Sequence, residues 1–332
     1  MKHTKYRITN DVIVTHGKVL HRIEALVDIQ RFGVKAGDLG GYIERGENLS
    51  HDGNSWIGGD AQVYGDAWVH GNAQVCGDAQ VYGDARVHGN AQVCGDAQVY
   101  GDAQVYGNAQ VYGDAQVCGD VQVYGNAWVY GDAQVYGNAQ VWGNGRVYGD
   151  AQVHGDAQVY GDARVCGNAQ VYGNAQVYGD AQVCGDVQVY GNAWVYGDAQ
   201  VYGNAQVWGN GRVYGDAQVH GDAQVYGDAR VCGNAQVYGN AQVYGDARVC
   251  GNAKIRRNGK IESIKDYCVF GPCGSRDDFT TFYKTETGIW VSCGCFNDDI
   301  GDFFAKVEET HGDNKHGRIY KDLAELASMK LE

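Results

Sequence analysis

The chain has 332 residues, of which 51 are glycine and one is proline, and its formal net charge is −14. Nearly all of the negative charge belongs to one recurring aspartate position with no basic stripe beside it, which argues against nucleic acid and anionic membranes as partners. Residues 1–10 lack the apolar core of a secretory signal, and no apolar run is long enough to span a membrane. With eleven cysteines and no signal, the sequence predicts a cytoplasmic protein with reduced thiols.

The first 56 residues do not follow the pattern that dominates the rest of the chain. The stretch YRITNDVIVTHGKVLHRIEALVDI alternates as short strands do, with a turn at Gly17. Ile43 and Leu49 are six residues apart and predict a degenerate start of the later repeat. We therefore expect a β-rich N-terminal cap over residues 1–56.

A six-residue repeat follows, with Val or Ile at every sixth position from Ile57 to Ile261. Its unit is V-Y-G-[D/N]-A-Q. Valine suits a strand that faces a core, alanine is small enough for a tight inner corner, and glycine followed by Asp or Asn is typical of turns. A short strand and a corner every six residues close after three strands. The repeat thus predicts an all-β solenoid over residues 57–261, a parallel β-helix of about 12 coils.

The sequence also contains a longer duplication that spans many six-residue repeats. Residues 103–180 recur identically at 169–246, a shift of eleven repeats. Eleven repeats are a whole number of sides but not of three-sided coils, so we expect the copy to return on a different face. Such a copy preserves the core residues but moves the outward residues to another face. A catalytic site needs its residues on one face, so the duplication favours a scaffold.

Outward residues can be sorted into columns of one residue per coil. One column is aromatic and could bind a second copy of the chain, a protein or a glycan, or could consist only of strand-forming tyrosines that stack on one another. Its members are Tyr106, Tyr124, Trp142, Tyr160, Tyr178, Tyr196 and Tyr214. Three further tryptophans, Trp68, Trp128 and Trp194, replace the usual glutamine.

Other columns carry groups that could bind metal. One corner presents aspartates that a divalent cation could bridge, or that only cap turns in water. These are Asp60, Asp78, Asp96, Asp114, Asp132 and Asp150. We also expect cysteine pairs that lie one above the other, with their thiols free, at Cys76 and Cys94, Cys166 and Cys184, and Cys232 and Cys250, and a similar histidine pair at His70 and His88.

Residues 262–332 predict a small α+β C-terminal domain. We expect three short strands around a turn at Gly271–Gly274, a helix capped by Asp298 or Asp299, and a last helix with one apolar face. That face would hold Ile319, Leu323 and Leu326. In GPCGSRDD, Arg276 and nearby backbone amides could cradle a phosphate, although a plain turn is the simpler interpretation. The four cysteines from Cys268 to Cys295 have poor zinc spacing.

Three stretches together resemble the uncharacterised hexapeptide-repeat proteins of bacteria and phages that are often labelled putative acyltransferases. They are GDLGGYIERGENLS, the repeat array, and the end with GPCGSRDDFTTFYK, CGCF and KVEETHGDNK. The resemblance implies a left-handed, triangular β-helix. The broader acyltransferase superfamily uses a histidine in a cleft between the subunits of a trimer, with loops that leave the coils, whereas this array has no insertion.

The function we expect is a non-enzymatic, elongated scaffold or binding protein that presents Tyr and Gln ladders. Specific recognition would lie in the C-terminal domain. We predict no catalytic residue and no cofactor. The alternatives are a trimeric acyltransferase-like enzyme and a filament-forming or surface-adhesion module.

Overall fold

The structure is a computed structural model that describes residues 4–332. It is a parallel β-solenoid of about 12 turns with a small C-terminal region of two helices and an antiparallel sheet, as the repeat predicts. The chain divides into two compact units, residues 1–173 and 174–332, which are described one at a time. The predicted domain limits at residues 56 and 261 and the left-handed coil stay predictions.

The first unit begins with an antiparallel hairpin. Strands β1 (Tyr6–Thr15) and β2 (Lys18–Ala25) are joined by a turn in which His16 and Gly17 both have positive φ, which confirms the turn predicted at Gly17. Strand β3 (Leu39–Ile43) pairs antiparallel with β2 and parallel with the first repeat strand of the same sheet. Ile43 is opposite Val63 and Leu49 is opposite Val69, so the predicted degenerate start is confirmed.

Twenty short strands of the repeat complete the first unit. They are β4 Trp56–Ile57, β5 Gln62–Val63, β6 Trp68–Val69, β7 Gln74–Val75, β8 Gln80–Val81, β9 Arg86–Val87, β10 Gln92–Cys94, β11 Gln98–Tyr100, β12 Gln104–Val105, β13 Gln110–Tyr112, β14 Gln116–Gly119, β15 Gln122–Val123, β16 Trp128–Tyr130, β17 Gln134–Gly137, β18 Gln140–Val141, β19 Arg146–Tyr148, β20 Gln152–Val153, β21 Gln158–Val159, β22 Arg164–Cys166 and β23 Gln170–Val171.

Within this unit, each strand from β4 to β20 pairs in parallel with the strand three places further on, so one turn takes three strands and 18 residues. Val93 is opposite Val75 on one side and Val111 on the other, and Gln lies opposite Gln in the same way. The Val and Ala side chains of the repeat are inside and fully buried or nearly so. The register follows from the sequence, because a shift of one residue would bring the valines to the solvent.

Glycine ends each side because the corner needs a left-handed backbone. At Gly131, φ is +71° and an added Cβ would lie 3.1 Å from the amide nitrogen of Gly149 in the next turn. A residue with a side chain is strained in that conformation and would also be crowded by the neighbouring backbone. The invariable glycine of the repeat therefore has a structural reason at every corner of this type.

The second unit continues the same repeat and then changes. Its repeat strands are β24 Gln176–Val177, β25 Gln182–Gly185, β26 Gln188–Val189, β27 Trp194–Tyr196, β28 Gln200–Gly203, β29 Gln206–Val207, β30 Arg212–Tyr214, β31 Gln218–Val219, β32 Gln224–Val225, β33 Arg230–Cys232, β34 Gln236–Val237, β35 Gln242–Val243, β36 Arg248–Val249, β37 Lys254–Ile255 and β38 Lys260–Ile261.

An antiparallel sheet of four strands covers the end of this repeat. The strands are β39 Tyr267–Cys273, β40 Asp278–Thr285, β41 Gly288–Cys293 and β42 Phe296–Asp299, one more than the sequence predicted. The sheet is attached to the last turns by hydrogen bonds: the backbone nitrogen of Lys254 donates to the Thr281 hydroxyl over 2.9 Å, and the Tyr267 hydroxyl donates to the Arg248 carbonyl over 2.7 Å.

Two helices pack on this sheet. Helix α1 (Ile300–His311) begins after Asp299, whose carboxylate accepts from the Asp302 amide over 2.9 Å, so the predicted cap is confirmed. Helix α2 (Lys315–Leu331) is buried through Tyr320, Ala324, Ala327 and Leu331. Of the apolar face predicted for α2, Leu323 packs against this core and Ile319 is half-buried, whereas Leu326 is 53% exposed, so the prediction is wrong for Leu326.

Candidate functional site

The aromatic column predicted from the sequence is a stack of rings in each unit. In the first unit the ring centroids of Tyr106 and Tyr124 are 4.9 Å apart, and Trp142 is 5.7 Å from Tyr124 and 4.3 Å from Tyr160. The ring planes differ by no more than 3°. Each inner ring is thus covered on both faces by its neighbours, so the column presents ring edges and hydroxyl groups to the solvent.

The same arrangement occurs in the second unit and on other sides of the solenoid. Tyr196 is 4.9 Å from both Tyr178 and Tyr214. Further stacks connect Tyr64 to Tyr82 and Tyr100, and Tyr112 to Tyr130 and Tyr148. Because stacking is general, it favours the structural interpretation of the column, in which tyrosines stabilise one turn against the next.

The six aspartates of the predicted acidic corner are all exposed. The Asp60 carboxylate is 3.5 Å from the Arg22 guanidinium. Among residues 4–332, only Asp298, Asp299 and Asp302 bring three acidic, histidine or cysteine ligand atoms within 4.8 Å of one another. That group is exposed at the start of α1, where Asp299 already caps the helix. A cation bridge between the aspartates of the acidic corner stays a prediction.

A different corner carries an asparagine ladder, which the sequence analysis missed. Each side-chain amide donates to the side-chain oxygen 18 residues further on, over distances from 2.7 to 3.3 Å. The ladder runs through Asn54, Asn72, Asn90, Asn108, Asn126, Asn144 and Asp162. The signal was in the sequence, because Asn and Asp segregate by corner rather than alternating freely.

The prediction that the thiols of the stacked cysteine pairs are free is wrong. Cys76 and Cys94 form a disulfide, as do Cys232 and Cys250, each with Cα atoms 4.6 Å apart. In-register strands of successive turns bring the two Cα atoms within disulfide range, and this proximity outweighs the argument from compartment. The histidine pair is stacked as predicted, with the rings of His70 and His88 4.8 Å apart.

Arg276 lies at the mouth of a cavity in the C-terminal region. A short 3-10 turn, Gly274–Arg276, connects β39 to β40 and places Ser275 and Arg276 over helix α1. The cavity has a volume of 410 Å³. Its floor is apolar, formed by Phe296, Phe303 and Val307. The sequence pointed to Arg276 but not to the groups that α1 contributes.

Hydrogen bonds fix the polar rim of this cavity. The Ser275 backbone nitrogen donates to the Tyr320 hydroxyl over 3.1 Å, and the Ser275 hydroxyl is 3.5 Å from Nε2 of His311. Arg276 is 3.8 Å from the Cys295 sulfur, and this hydrogen bond raises the pKa of the guanidinium. Arg276 therefore stays charged. Its guanidinium forms no ion pair with any described carboxylate, which leaves the charge available at the rim.

The rim is basic. Lys306 and His311 on α1 join Arg276 around the opening, and none of the described residues that line the cavity is acidic. Lys306 also pairs with Glu309, one helical turn away, over 2.8 Å. An apolar floor beneath the charges of Arg276 and Lys306 is suited to a ligand that carries a carboxylate or phosphate on an apolar body.

The four C-terminal cysteines do not form a metal site. Cys268 is part of the core, and burial raises the pKa of its thiol to about 11. Cys293 accepts a hydrogen bond from the Thr280 hydroxyl over 3.2 Å, while Cys295 is exposed beside Arg276. Among residues 4–332, no three of these sulfurs lie within 4.8 Å of one another.

These features define a β-solenoid repeat protein. The family model described as YdcK Beta solenoid repeat matches the chain at residues 61–77, 79–95, 91–107, 97–113, 103–119, 115–131, 121–137, 157–173, 169–185, 187–203, 223–239, 235–251 and 241–257. The matches fall within the repeat and support a repeat β-helix protein. No curated protein matches the chain. No described helix has the length and apolar character needed to cross a membrane.

Proposed function

We propose that the chain is a non-enzymatic binding protein, in which the solenoid is a scaffold and the C-terminal cavity recognises an anionic ligand. The observation that carries the proposal is the 410 Å³ cavity with Arg276, Lys306 and His311 at its rim and an apolar floor. Carboxylates and phosphates are the groups that such a rim would hold through charge-assisted hydrogen bonds.

The scaffold role is supported by the way the repeat uses its residues. The Val and Ala side chains are buried in the core, and the glycines form the corners. Most of the tyrosine rings stack on one another. Each turn contacts only its neighbours, so the array can be extended without a change in its cross-section. Little of its side-chain chemistry is left free for catalysis.

Isothermal titration calorimetry of the full chain tests the proposal. The probes are phenyl phosphate and benzoate, which have an anionic group on an aromatic body, with benzyl alcohol as the neutral comparison. We expect at least one anion to bind more tightly than the alcohol. Replacing Arg276 with Gln removes a charged hydrogen-bond donor and should weaken that binding by about tenfold or more.

A matched control separates the cavity from general surface charge. Arg318→Gln removes the same charge from an exposed position on helix α2, and Arg318 does not line the cavity. Its affinity for the anion should equal that of the unchanged protein. The proposal fails if neither anion binds, or if Arg276→Gln and Arg318→Gln have equal effects.

A further inference from the structure

Trp68 is the one exposed tryptophan among residues 4–332, and 42% of it is accessible to solvent. It replaces the glutamine that usually begins a strand of the repeat. Its ring is stacked on His70, with centroids 3.8 Å apart, and His70 is stacked in turn on His88. The aromatic stack of the first unit thus ends at a ring of which a large part is uncovered, unlike the rings inside the stack.

This ring forms one wall of an open groove of 950 Å³. The connection between β3 and β4 forms the opposite wall, and Leu49 lies buried at the base. Two hydrogen bonds attach the connection between β3 and β4 to the repeat. The Ser50 amide donates to the Val69 carbonyl over 3.0 Å, and the Arg45 guanidinium donates to the Asp66 carboxylate. The groove is at the upper end of the size range for small-molecule sites.

Unpaired hydrogen-bonding groups of both signs surround Trp68. Arg86 is directly opposite it in the next turn, in register. Glu47 and Asp52 line the far wall. None of these three side chains forms an ion pair with another described residue, so the donor and both acceptors are available to a ligand.

The exposed Trp68 ring, the Arg86 guanidinium and the nearby carboxylates together favour one class of ligand over others. An organic cation would gain from the ring and the carboxylates but would be repelled by Arg86 beside Trp68. An anion would be repelled by Glu47, Asp52 and Asp66. A neutral polyhydroxyl ligand uses all of these groups, because each hydroxyl both donates and accepts, and the apolar face of a sugar ring packs on an exposed indole.

We propose that this groove binds a neutral oligosaccharide, with one pyranose ring packed on Trp68. Its hydroxyl groups would accept hydrogen bonds from Arg86 and donate them to Glu47 and Asp52. The volume allows more than one sugar ring. This site belongs to the first unit and is independent of the function proposed for the C-terminal cavity.

The test uses the full chain and three neutral probes, cellohexaose, maltohexaose and chitohexaose, with saturation-transfer NMR to detect binding and calorimetry to measure it. Trp68→Gln restores the usual residue of the repeat, so the fold should be retained, which circular dichroism checks. We expect at least one probe to bind, and Trp68→Gln to weaken it by about tenfold or more. Arg86→Gln, which also restores the usual residue, should weaken it several-fold.

Trp128→Gln is the matched control, because Trp128 occupies the same position of the repeat but is half-buried and packs on Arg146 at 5.0 Å. Its affinity should be unchanged, as should that of Arg276→Gln. The inference is overturned if none of the three probes binds, if Trp68→Gln binds as the unchanged protein does, or if tetramethylammonium binds in the groove while the sugars do not.

Discussion

The core of the solenoid can be tested at Val141, in strand β18. Its side chain is fully buried, and it is opposite Val123 in the preceding turn and Val159 in the following one. Replacing it with Ala removes two carbons from the core. At about 0.8 kcal/mol for each buried carbon the transfer term is about 1.6 kcal/mol. The cavity that is left adds to it, because stacked backbones on both sides prevent collapse, so we expect a loss of about 2–3 kcal/mol.

The measurement is urea unfolding followed by far-ultraviolet circular dichroism, with the change read from the shift in midpoint at constant slope. Val14→Ala is the control, since Val14 is also in a strand but is 72% exposed. Its cost should stay within about 0.5 kcal/mol. Equal losses for the two variants would refute the argument that valines spaced by six form the core.

Three further outcomes are expected. Gly131→Ala should cost about 1–2 kcal/mol because φ is +71° there, whereas Gly46→Ala, with nothing within 4 Å of the added carbon, should change the urea midpoint much less; equal midpoints would contradict the corner argument. Dithiothreitol should lower the unfolding free energy by about 3 kcal/mol per disulfide through the 18-residue loop of Cys76–Cys94, and Cys76→Ser should remove that bond's share of the effect. Burial, and secondarily a nearby arginine, lowers the pKa of His88 below 6.5. The unfolded chain therefore takes up a proton first, so the melting temperature should fall as pH drops below about 6.5, and less steeply in His88→Tyr.

The solenoid was predictable because the repeat fixes which residues of each short strand face the core. Val93 lies between Val75 and Val111 for the same reason that the sequence has a period of six: only one face of each short strand can be apolar. The start of α1 was predictable too, because Asp299 is followed by apolar residues at helical spacing and its carboxylate finds the free amide of Asp302.

Helix α2 shows where sequence reasoning fails. Its sequence has two stripes at helical spacing, one through Ile319 and Leu323 and one through Tyr320 and Ala324. The larger apolar residues favoured the first stripe. In the structure the second is buried, because small alanines allow the helix to approach the sheet closely while Tyr320 contacts the turn at Ser275. Only the tertiary contacts decide between the two.

The candidate cavity was predictable only in part. A turn rich in glycine with an arginine pointed to Arg276, since these are local features. Lys306 and His311 come to the same opening from a helix some thirty residues further on, through the packing of α1 on the sheet. The groove at Trp68 likewise depends on how the non-repetitive residues 46–52 fold against the first turns of the solenoid.

The uniformity of the turns has a consequence for how the chain finds its alignment. A slip of 18 residues would still place valine on valine and glycine on glycine, so the array alone contains almost no information about which segment should meet which. Strand β3 supplies that information, since it joins the hairpin to the first turn by pairing Ile43 with Val63. Folding that starts from this unique pairing would place every later turn of the solenoid in the correct order. A chain without residues 1–43 would lack that starting point, and its turns would pair out of order and form shorter arrays.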